Sequence, residues 1–296
     1  MIKYGIERIL VPVDFSETSD TATTNAVLLA KILNAEIVLL NVIEPKWSHF
    51  LSILEVLSAP PSFADVEKAV TGKMNKISEE IFNNYGVKSE AFVVSGRIHP
   101  EIINFSEKNN IDLIVMGTHG VSGYNELFIG SIAQRVVTLS AVPVLTMQKK
   151  CDKPNYKNIL IPIDNSMHSR EKVNMAILFA NLFGAKVHII ARPDSIDLVE
   201  LKKFATKIKS VEDILTEAKI DHITTRIPGE NLAQSAIDYA AKNKINLIII
   251  NTGHESKINE FFPGAFVQQL VNHSTIPVLS IKHTASLYRE DIPGIA

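Results

Sequence analysis

The sequence has almost no cysteine: Cys151 is the single one among 296 residues. A disulfide within the chain is therefore impossible, and a reducing compartment is expected. No apolar run is long enough to cross a bilayer, and no apolar stretch near the start precedes a small-residue cleavage site. These absences argue against a disulfide-stapled scaffold and a helical membrane protein, and they predict a cytoplasmic location.

An excess of charge of one sign is also lacking. Lysine and arginine number 30 against 32 acidic residues, which gives a formal net charge of −2. Proteins that hold nucleic acid by bulk charge are strongly basic, so no nucleic-acid partner is predicted. The 46% of apolar residues and 21% of charged residues are typical of a globular protein, and 296 residues suffice for two domains.

What the sequence does contain is a second copy of itself. ILVPVDFS at 9–16 returns as ILIPIDNS at 159–166, and VPVLTM at 142–147 returns as IPVLSI at 276–281. The offset is 150 residues for the first pair and 134 for the second, so the first half carries about sixteen extra residues, after its second strand. We predict two tandem domains, 1–150 and 151–296, joined by a linker near 149–156.

Each half alternates short β-branched runs with helical periodicity. In the first half the predicted strands lie near 8–13, 36–43, 87–94, 111–116 and 142–147. Four helices are predicted between them. The first two have apolar inner faces, formed by Ala22, Ala26, Leu29 and Leu33 and by Val66, Val70, Met74, Ile77 and Ile81. Pro100 suits the first turn of the third helix, and Ser131 begins the fourth.

The predicted fold class is α/β, because strands that are apolar on both faces indicate a parallel sheet covered by helices on both sides. With right-handed crossovers, the chain forms two tandem doubly wound five-stranded parallel sheets. The last strand of each half is expected at a sheet edge. Pairing through these edges would make the chain an intramolecular pseudo-dimer, and a further homodimer is left open.

A glycine-rich loop follows the fourth strand. Residues 116–131 read MGTHGVSGYNELFIGS, and the final Gly130 and Ser131 open a helix. Glycine lets a ligand approach the main chain closely, and a helix start offers N–H donors and a positive dipole end, both of which suit phosphate. Ser131 and Thr118 are candidate hydroxyl donors. If the first and fourth strands are neighbours, Asp14 faces the same crevice and suits ribose hydroxyls or a cation. Sugar and phosphate together indicate a nucleotide.

The motifs resemble those of the universal stress protein family. The resemblance lies in Gly117-x-x-Gly120 followed after nine residues by Gly130-Ser131, in the opening VPVDFS of 11–16, and in the strand end NVI of 41–43. It covers nearly the whole chain, once per half. It implies the universal-stress or adenine-nucleotide α-hydrolase-like fold. It also implies an ATP-binding stress-response regulator with an unidentified protein partner, ATP as ligand and Mg²⁺ on its phosphates.

The same resemblance implies which residues bind ATP. Three positions would surround the adenosine and seven would line the ribose and phosphates: Pro12, Asp14 and Val42, then Met116, Gly117, His119, Gly120, Gly130, Ser131 and Ile132.

The second half departs from this pattern. Asn251 and His254 stand where the first half has Gly117 and Gly120, Ala265 replaces Ser131, and Arg192 replaces Val42. Pro162 and Asp164 are kept. Side chains now stand where phosphates would approach, so the second site is predicted to be weakened or repurposed.

Alternative interpretations of single residues stay open. Asp14 is also a candidate helix cap, since Asp164 recurs in the divergent half. His119 and His254 are read as loop residues, because no Ser/His/Asp set and no metal-ligand spacing accompanies them. The insertion 45–63, with the single tryptophan Trp47, either packs over the sheet or forms a lid or apolar patch.

Two other functional classes compete with a nucleotide-binding regulator. One is a nucleotide-independent binding protein for an apolar or anionic small ligand or a protein partner, which Arg192 and His254 favour. The other is an enzyme that uses ATP to activate a substrate. Its Ser-Gly-Gly-x-Asp-Ser loop is missing, since 14–19 read DFSETS, and a P-loop is missing as well. No catalytic residue is predicted, so hydrolysis of ATP is expected to be slow at most.

Overall fold

A computed structural model describes residues 5–44, 62–118, 130–148, 155–163, 169–193, 196–227, 231–252 and 265–282. The first half contains these elements: β1 Arg8–Pro12, α1 Glu17–Leu33, β2 Glu36–Ile43, α2 Phe63–Tyr85, β3 Ser89–Ser95, α3 Ile98–Lys108, β4 Leu113–Gly117, α4 Ser131–Leu139 and β5 Val144–Met147. The order agrees with the predicted one, and the strand bounds differ by no more than two residues. Most of the insertion, 45–61, and residues 283–296 lie outside the described ranges.

The second half repeats the same order of elements. It contains β6 Asn158–Ile163, α5 Ser169–Phe183, β7 Lys186–Ala191, α6 Leu198–Glu217, β8 His222–Arg226, α7 Leu232–Lys242, β9 Leu247–Thr252, α8 Ala265–His273 and β10 Val278–Lys282.

All ten strands join in one sheet of order β3-β2-β1-β4-β5-β10-β9-β6-β7-β8. Pairing is parallel inside each half, and β1 lies beside β4 as the commonest five-stranded order requires. Strands β5 and β10 pair antiparallel, with Leu145 opposite Leu279, so the two five-stranded sheets continue into each other. The predicted α/β class with two doubly wound parallel sheets is confirmed, and the expected edge strands β5 and β10 protect each other.

Helices cover both faces of the sheet and enclose two apolar layers. One layer lies beneath α1, α2, α5 and α6, and the other beneath α3, α4, α7 and α8. Each layer draws strand residues from both halves, so the core is continuous across the junction. Of the predicted inner face of α2, Met74 and Ile81 are buried, while Val70 and Ile77 pack partly against the core.

Local sequence explains where helices begin and end. Ser16 caps α1 by accepting a hydrogen bond from the Ser19 N–H. Ser62 and Asp65 form a reciprocal capping box at the start of α2, and Gly86 ends that helix in the left-handed conformation at φ 68°. Pro100 lies in the first turn of α3, as predicted, where its missing N–H costs nothing.

The duplication extends to side chains in turns. Ser140 accepts from the Val142 N–H in the first half, and Ser274 accepts from the Ile276 N–H in the second. Before β4, Asp112 accepts from the Arg8 N–H, and before β9, Asn246 accepts from the Asn158 N–H. Because the two halves share these turn contacts, their equivalent positions can be compared residue by residue.

The junction and linker also show specific contacts. The Lys282 Nζ donates to the Leu139 carbonyl at 3.2 Å, which ties β10 to the end of α4. Tyr156, predicted to end the linker, is instead buried against Phe179 and Phe183 at ring distances of 5.7 and 5.0 Å. The prediction is wrong for Tyr156, because an aromatic ring beside a strand finds a place in the core. Residues 149–154 of the predicted linker are outside the described ranges.

Candidate functional site

A crevice opens between β1 and β4 at the carboxyl end of the strands. These two strands pair only at Ile9 with Leu113 and Leu10 with Ile114, whereas β1 pairs with β2 along its whole length. The chain leaves β1 and β4 in opposite directions, because β2 and β5 flank them on either side. Ligands of doubly wound folds bind at this switch point. Pro12 and Val42, at the ends of β1 and β2, are half-buried there.

Asp14 lies exposed at the mouth of this crevice. Its Oδ1 accepts from the Ser16 N–H at 3.0 Å and from the Ser16 hydroxyl at 2.5 Å. Ser16, not Asp14, is the side chain that caps α1. The carboxylate therefore braces the turn through one oxygen, and no described residue donates to Oδ2. A ligand hydroxyl or a cation has access to that second oxygen.

The turn that carries Asp14 is strained. Phe15 has φ 62°, in the left-handed region that aromatic residues rarely adopt. Its ring packs partly on the core, and the Lys73 ammonium lies 5.2 Å from the ring centre. Such outliers persist where the surroundings fix them, and they cluster at binding sites. This turn separates Asp14 from the start of α1.

Asn41 fixes the chain just before Asp14. Its Nδ2 donates to the Val13 carbonyl at 2.7 Å, and the Val13 N–H donates to the Leu40 carbonyl at 2.8 Å. The side chain is buried and belongs to the strand beside β1. Sequence reasoning gave Asn41 no such role. The signal was present, because Asn41 is the one polar side chain in the apolar run IVLLNVI of 37–43.

Gly117, the last residue of β4, has a packing reason to be glycine. A Cβ there would meet the Thr18 Cβ and Oγ1 at 2.9 Å and the Thr18 carbonyl carbon at 3.0 Å. The first turn of α1 therefore rests directly on this position. The sequence interpretation explained Gly117 by an approaching ligand, and the contact with Thr18 supplies a second, structural cause.

The glycine-rich loop is closed at its base. The Gly130 N–H donates to the Thr118 carbonyl at 2.7 Å, and the Thr118 N–H donates to the Met147 carbonyl at 2.9 Å. The Thr118 hydroxyl also donates to Met147, at 3.3 Å, and the residue is buried. Its predicted role as a phosphate donor is wrong, because the hydroxyl serves the sheet. His119 and Gly120 belong to 119–129, outside the described residues.

The start of α4 presents a row of donors. Gly130 is its N-cap, at φ −58° and ψ 142°, and supplies no side-chain cap. The Gln134 N–H makes the first hydrogen bond of the helix, to the Gly130 carbonyl. The N–H groups of 131–133 therefore have no acceptor within the helix. Ser131 is exposed beside them. This end of the helix favours an anion.

The side chains of two predicted ligand residues face the core, so only their main chain is open to a ligand. The Met116 side chain is buried in the layer beneath α3 and α4, and the Ile132 side chain packs partly against the same layer. Their side chains serve the core.

Two arginines and a histidine lie on α3 and α4. Arg97 is the N-cap of α3, His99 lies in its first turn, and Arg135 lies on α4 one turn beyond Ser131. Burial lowers the pKa of His99, and the positive charges of Arg135 and Arg97 lower it further, so its imidazole is neutral at neutral pH. The second half has Asn231, Ala233 and Gln269 at these positions. Sequence reasoning missed these three residues, since they come from two helices.

The corresponding crevice of the second half is built from other side chains. Strands β6 and β9 again pair at only two positions, Ile159 with Leu247 and Leu160 with Ile248. Arg192 follows β7 where Val42 stands in the first half, and Asn251 takes the place of Gly117. Lys172 of α5 is buried and donates to the Pro162 carbonyl at 2.6 Å. Asp164, His254 and Gly264 lie outside the described ranges.

The described part of the chain holds no cluster of three or more His, Cys, Asp or Glu side chains able to bind a metal ion. None of its helices is both long and apolar enough to cross a membrane.

Similarity to known proteins is found along both halves. The sequence model of the Universal stress protein family matches residues 5–148 and again 155–282. A universal stress protein of Methanocaldococcus jannaschii is 30% identical over 155 residues, which are 49% of this chain and 96% of that protein. One of Bacillus subtilis is 32% identical over 145 residues, which are 48% of this chain and 98% of that protein.

Solved structures of similar shape span the whole chain. The crystal structure of a universal stress protein from Archaeoglobus fulgidus covers 95% of this chain and 100% of its own, with a TM-score of 0.74 and 20% identity. A putative universal stress protein from Pseudomonas aeruginosa covers 95% of both chains, with a TM-score of 0.69 and 15% identity. These likenesses show the fold, and the two family matches identify the sequence. The chain belongs to the universal stress protein family and carries two copies of its domain in tandem.

Proposed function

We propose that the first domain binds ATP in the crevice between β1 and β4, and that the protein is a nucleotide-binding stress-response regulator. Some members of the universal stress protein family bind ATP. The observation that carries the proposal is the pair of groups facing this crevice. The exposed Asp14 carboxylate lies at the end of β1, and the uncapped, Ser131-bearing start of α4 follows β4.

Each end of the nucleotide meets a suitable partner. Pro12 and Val42 are half-buried and apolar, which suits the flat base. Asp14 suits the ribose hydroxyls through the oxygen not used by Ser16. The phosphates meet the first turn of α4, where main-chain N–H groups and the Ser131 hydroxyl are donors. His119 and Gly120 are proposed to complete this path.

Positive charge near the phosphate end supports the same placement. Arg135 shares the helix face of Ser131, and Arg97 is the N-cap of the neighbouring helix α3. A triphosphate carries several negative charges, so these two arginines raise its local concentration and its affinity. Mg²⁺ would accompany the triphosphate, with phosphate oxygens and water as its ligands.

The two domains are proposed to differ in this function. We retain 1–150 as the ATP-binding domain and 151–296 as the divergent one. In the latter, Arg192 and Asn251 replace small apolar residues at the crevice, and Ala265 brings no hydroxyl. ATP in the first domain then changes the surface shown to a protein partner in the cytoplasm. No catalytic residue is proposed, and any hydrolysis of ATP is expected to be slow.

Calorimetric titration with Mg-ATP tests the proposal with a matched pair of variants. Gly130→Val places a branched side chain at the phosphate end. The helix start is kept, because φ −58° and ψ 142° are open to valine. We expect on the order of 100-fold weaker binding through steric exclusion. Gly264→Val makes the same change at the equivalent position of the second domain and should leave the affinity unchanged.

Two outcomes would refute the site assignment. The first is ATP bound equally well by the wild-type protein and Gly130→Val. The second is a loss of affinity in Gly264→Val as large as that in Gly130→Val, which would place ATP in the second domain or in both. A stoichiometry of one ATP per chain is expected for the wild-type protein.

A further inference from the structure

The ten-stranded sheet ends at β3 in the first domain, and this edge is open. The Ile37 N–H of β2 donates to the Lys88 carbonyl just before β3, so the even-numbered residues of β3 bond to β2. The main-chain groups of Ala91 and Val93 therefore point outward, away from β2. Among the described residues, no strand pairs with that side of β3. A row of outward N–H and C=O groups is a template for another extended chain.

The opposite edge of the sheet, β8, is better protected against such pairing. It has five residues, against seven in β3. Asn41 pairs with Val93 in the first domain, and the equivalent Ala191 pairs with Arg226 in the second. An exposed arginine therefore stands on β8 where β3 has a valine. Short edge strands and charged side chains discourage edge pairing, so β3 is the more receptive of the two edges.

A groove of about 580 Å³ adjoins the start of β3, and this volume is in the range of ligand sites. One wall is the start of β2 and β3, and the other is a stripe along α2 formed by Ser78, Glu79, Phe82 and Asn83. The Ser78 hydroxyl donates to the Ser89 carbonyl at 2.9 Å, which fixes this stripe beside the edge strand. Phe82 is 59% exposed. An exposed aromatic ring next to open main chain suits a docked peptide, whose side chains need apolar contact.

The charge of the groove favours a basic occupant. Two of its carboxylates are already paired: the Lys88 Nζ lies 3.7 Å from a Glu36 carboxylate oxygen. An Arg8 guanidinium nitrogen lies 3.4 Å from a Glu90 carboxylate oxygen. Glu79 also lines the groove, and it has no ion-pair partner among the described residues. One negative charge is therefore uncompensated beside an exposed ring, and both groups attract lysine or arginine.

We infer that the β3 edge and this groove dock an extended segment of a partner protein in which apolar and basic side chains alternate. The segment adds its main chain to the outward groups of Ala91 and Val93, and it places a basic side chain beside Glu79 and Phe82. Main-chain hydrogen bonds give such docking its affinity, and the side-chain contacts give it selectivity. Strands β2 and β1 separate β3 from the crevice beside β4, so the inference is independent of ATP binding.

The full chain is titrated against two labelled, end-capped hexapeptides, one of alternating valine and lysine and one of alternating valine and glutamate. Fluorescence anisotropy measures binding at low and high KCl. Val93→Pro removes an outward N–H and keeps the bonds to β2, which is the position where a sheet edge tolerates proline. Phe82→Thr installs the residue that the second domain has at Thr216, and Glu79→Gln removes the charge. Arg226→Pro is the matched control on β8.

The lysine peptide should bind saturably and roughly tenfold more tightly than the glutamate peptide, because only the lysine peptide complements the groove. Val93→Pro and Phe82→Thr should each weaken its binding roughly tenfold. Glu79→Gln should weaken it roughly threefold at low KCl and less at high KCl, since salt screens the charge. Arg226→Pro should bind like the wild-type protein.

Circular dichroism and urea unfolding check that each variant folds, and Phe82→Thr and Glu79→Gln keep the test decisive if Val93→Pro does not. The inference is overturned if neither peptide binds at about 1 mM, or if the two peptides bind alike. It is also overturned if the folded variants of β3 and α2 bind the lysine peptide as tightly as the wild-type protein does. A dimer in sedimentation experiments that Val93→Pro dissociates would assign the edge to a second copy of the chain and overturn it as well.

Discussion

The two domains surround equivalent crevices with positive charge in different places. In the first domain the positive charge lies on two helices, at Arg97 and Arg135, and the strand-end residues Val42 and Gly117 are uncharged. In the second domain those helix positions are Asn231 and Gln269, and positive charge is placed at the end of β6 by Lys172 of α5 and after β7 by Arg192. The backbone is shared, down to the serine turns before β5 and β10. The two copies therefore share a backbone frame and differ in the chemistry of their crevices.

This difference shows which parts of the motif belong to the fold. Both domains keep a proline at the end of the first strand and an aspartate just after it, and in both the first and fourth strands separate at the switch point. Those features form the crevice itself. Glycine at 117 and valine at 42 are not kept, so the two crevices differ at these positions, and at 117 the contact with Thr18 is a further reason for glycine. Exchanging residues between equivalent positions of the two domains therefore tests which residues form the crevice and which select its ligand.

The largest expected effect comes from moving the second domain's arginine into the first. Val42→Arg puts a guanidinium where the adenine is proposed to lie, and we expect ATP affinity to fall on the order of 100-fold by steric overlap and loss of the apolar wall. Calorimetry with Mg-ATP measures this. Val42→Ile, which keeps the site apolar, should stay within about threefold. An unchanged affinity of Val42→Arg for ATP would show that Val42 is not part of the site.

Gly117→Ala and Asn251→Ala compare the ends of β4 and β9. An added Cβ at 117 overlaps Thr18, including its main-chain carbon, so we expect a loss of about 1–3 kcal/mol in unfolding free energy. Asn251→Ala removes two unsatisfied polar atoms and should cost less than about 0.5 kcal/mol, or stabilise. Urea unfolding of both variants gives the comparison. Equal losses would show that the close contact with α1 is not specific to the first domain.

Most of the fold was predictable from local patterns in the sequence. The internal repeat, the period of apolar positions on α2 and the β-branched runs predicted the order of elements and the doubly wound sheets, because apolar periodicity and the parallel arrangement are encoded over a few residues. Pairing of β5 with β10 also followed, since an apolar edge strand needs a partner. Tyr156 was misplaced, because only packing against Phe179 and Phe183 shows that it is core.

The site was predictable only where its residues lie along one stretch of chain. Asp14, Gly130 and Ser131 stand in motifs, and the structure places them on either side of one crevice. Contacts between distant segments were not visible: Thr18 over Gly117, Asn41 beneath Val13, and Lys172 beside Pro162 each join residues of different elements. The role predicted for Thr118 was wrong for the same reason, because its hydroxyl donates to the Met147 carbonyl at the end of β5.

The domains also differ inside their cores, at a position that responds to pH. His188 on β7 is buried, its Nδ1 lies 3.1 Å from the Tyr239 hydroxyl, and Nε2 has no partner. The first domain has Val38 and Phe105 at these two positions. Burial lowers the pKa of His188, the charge of Lys186 lowers it further, and Asp221 opposes both. The neutral ring is therefore the folded form.

A lowered pKa fixes the sign of the pH dependence. The unfolded chain takes up a proton near pH 6.5 and the folded chain only at lower pH, so the contribution of His188 is complete above pH 6.5 and is lost as pH falls below it. At pH 5.5 the loss is at most about 1.4 kcal/mol. Urea unfolding at pH 7.5 and 5.5 should show a smaller difference for His188→Val than for wild type. An identical difference would mean that His188 titrates normally in the fold.

The smallest expected effect tests the charge on the helices of the first domain. Arg135→Gln installs the residue that the second domain has at Gln269, and Arg135 is exposed, one turn beyond Ser131. An exposed charge near a phosphate chain contributes about 0.5–1 kcal/mol, so ATP affinity should fall roughly threefold at low salt. Since salt screens such charges, wild type and variant should converge as KCl rises towards 0.5 M. Gln269→Arg is the control and should leave ATP binding unchanged. If Arg135→Gln binds ATP as tightly as wild type at low salt, Arg97 and Arg135 serve another partner, and the contrast in charge between the domains has no bearing on the nucleotide.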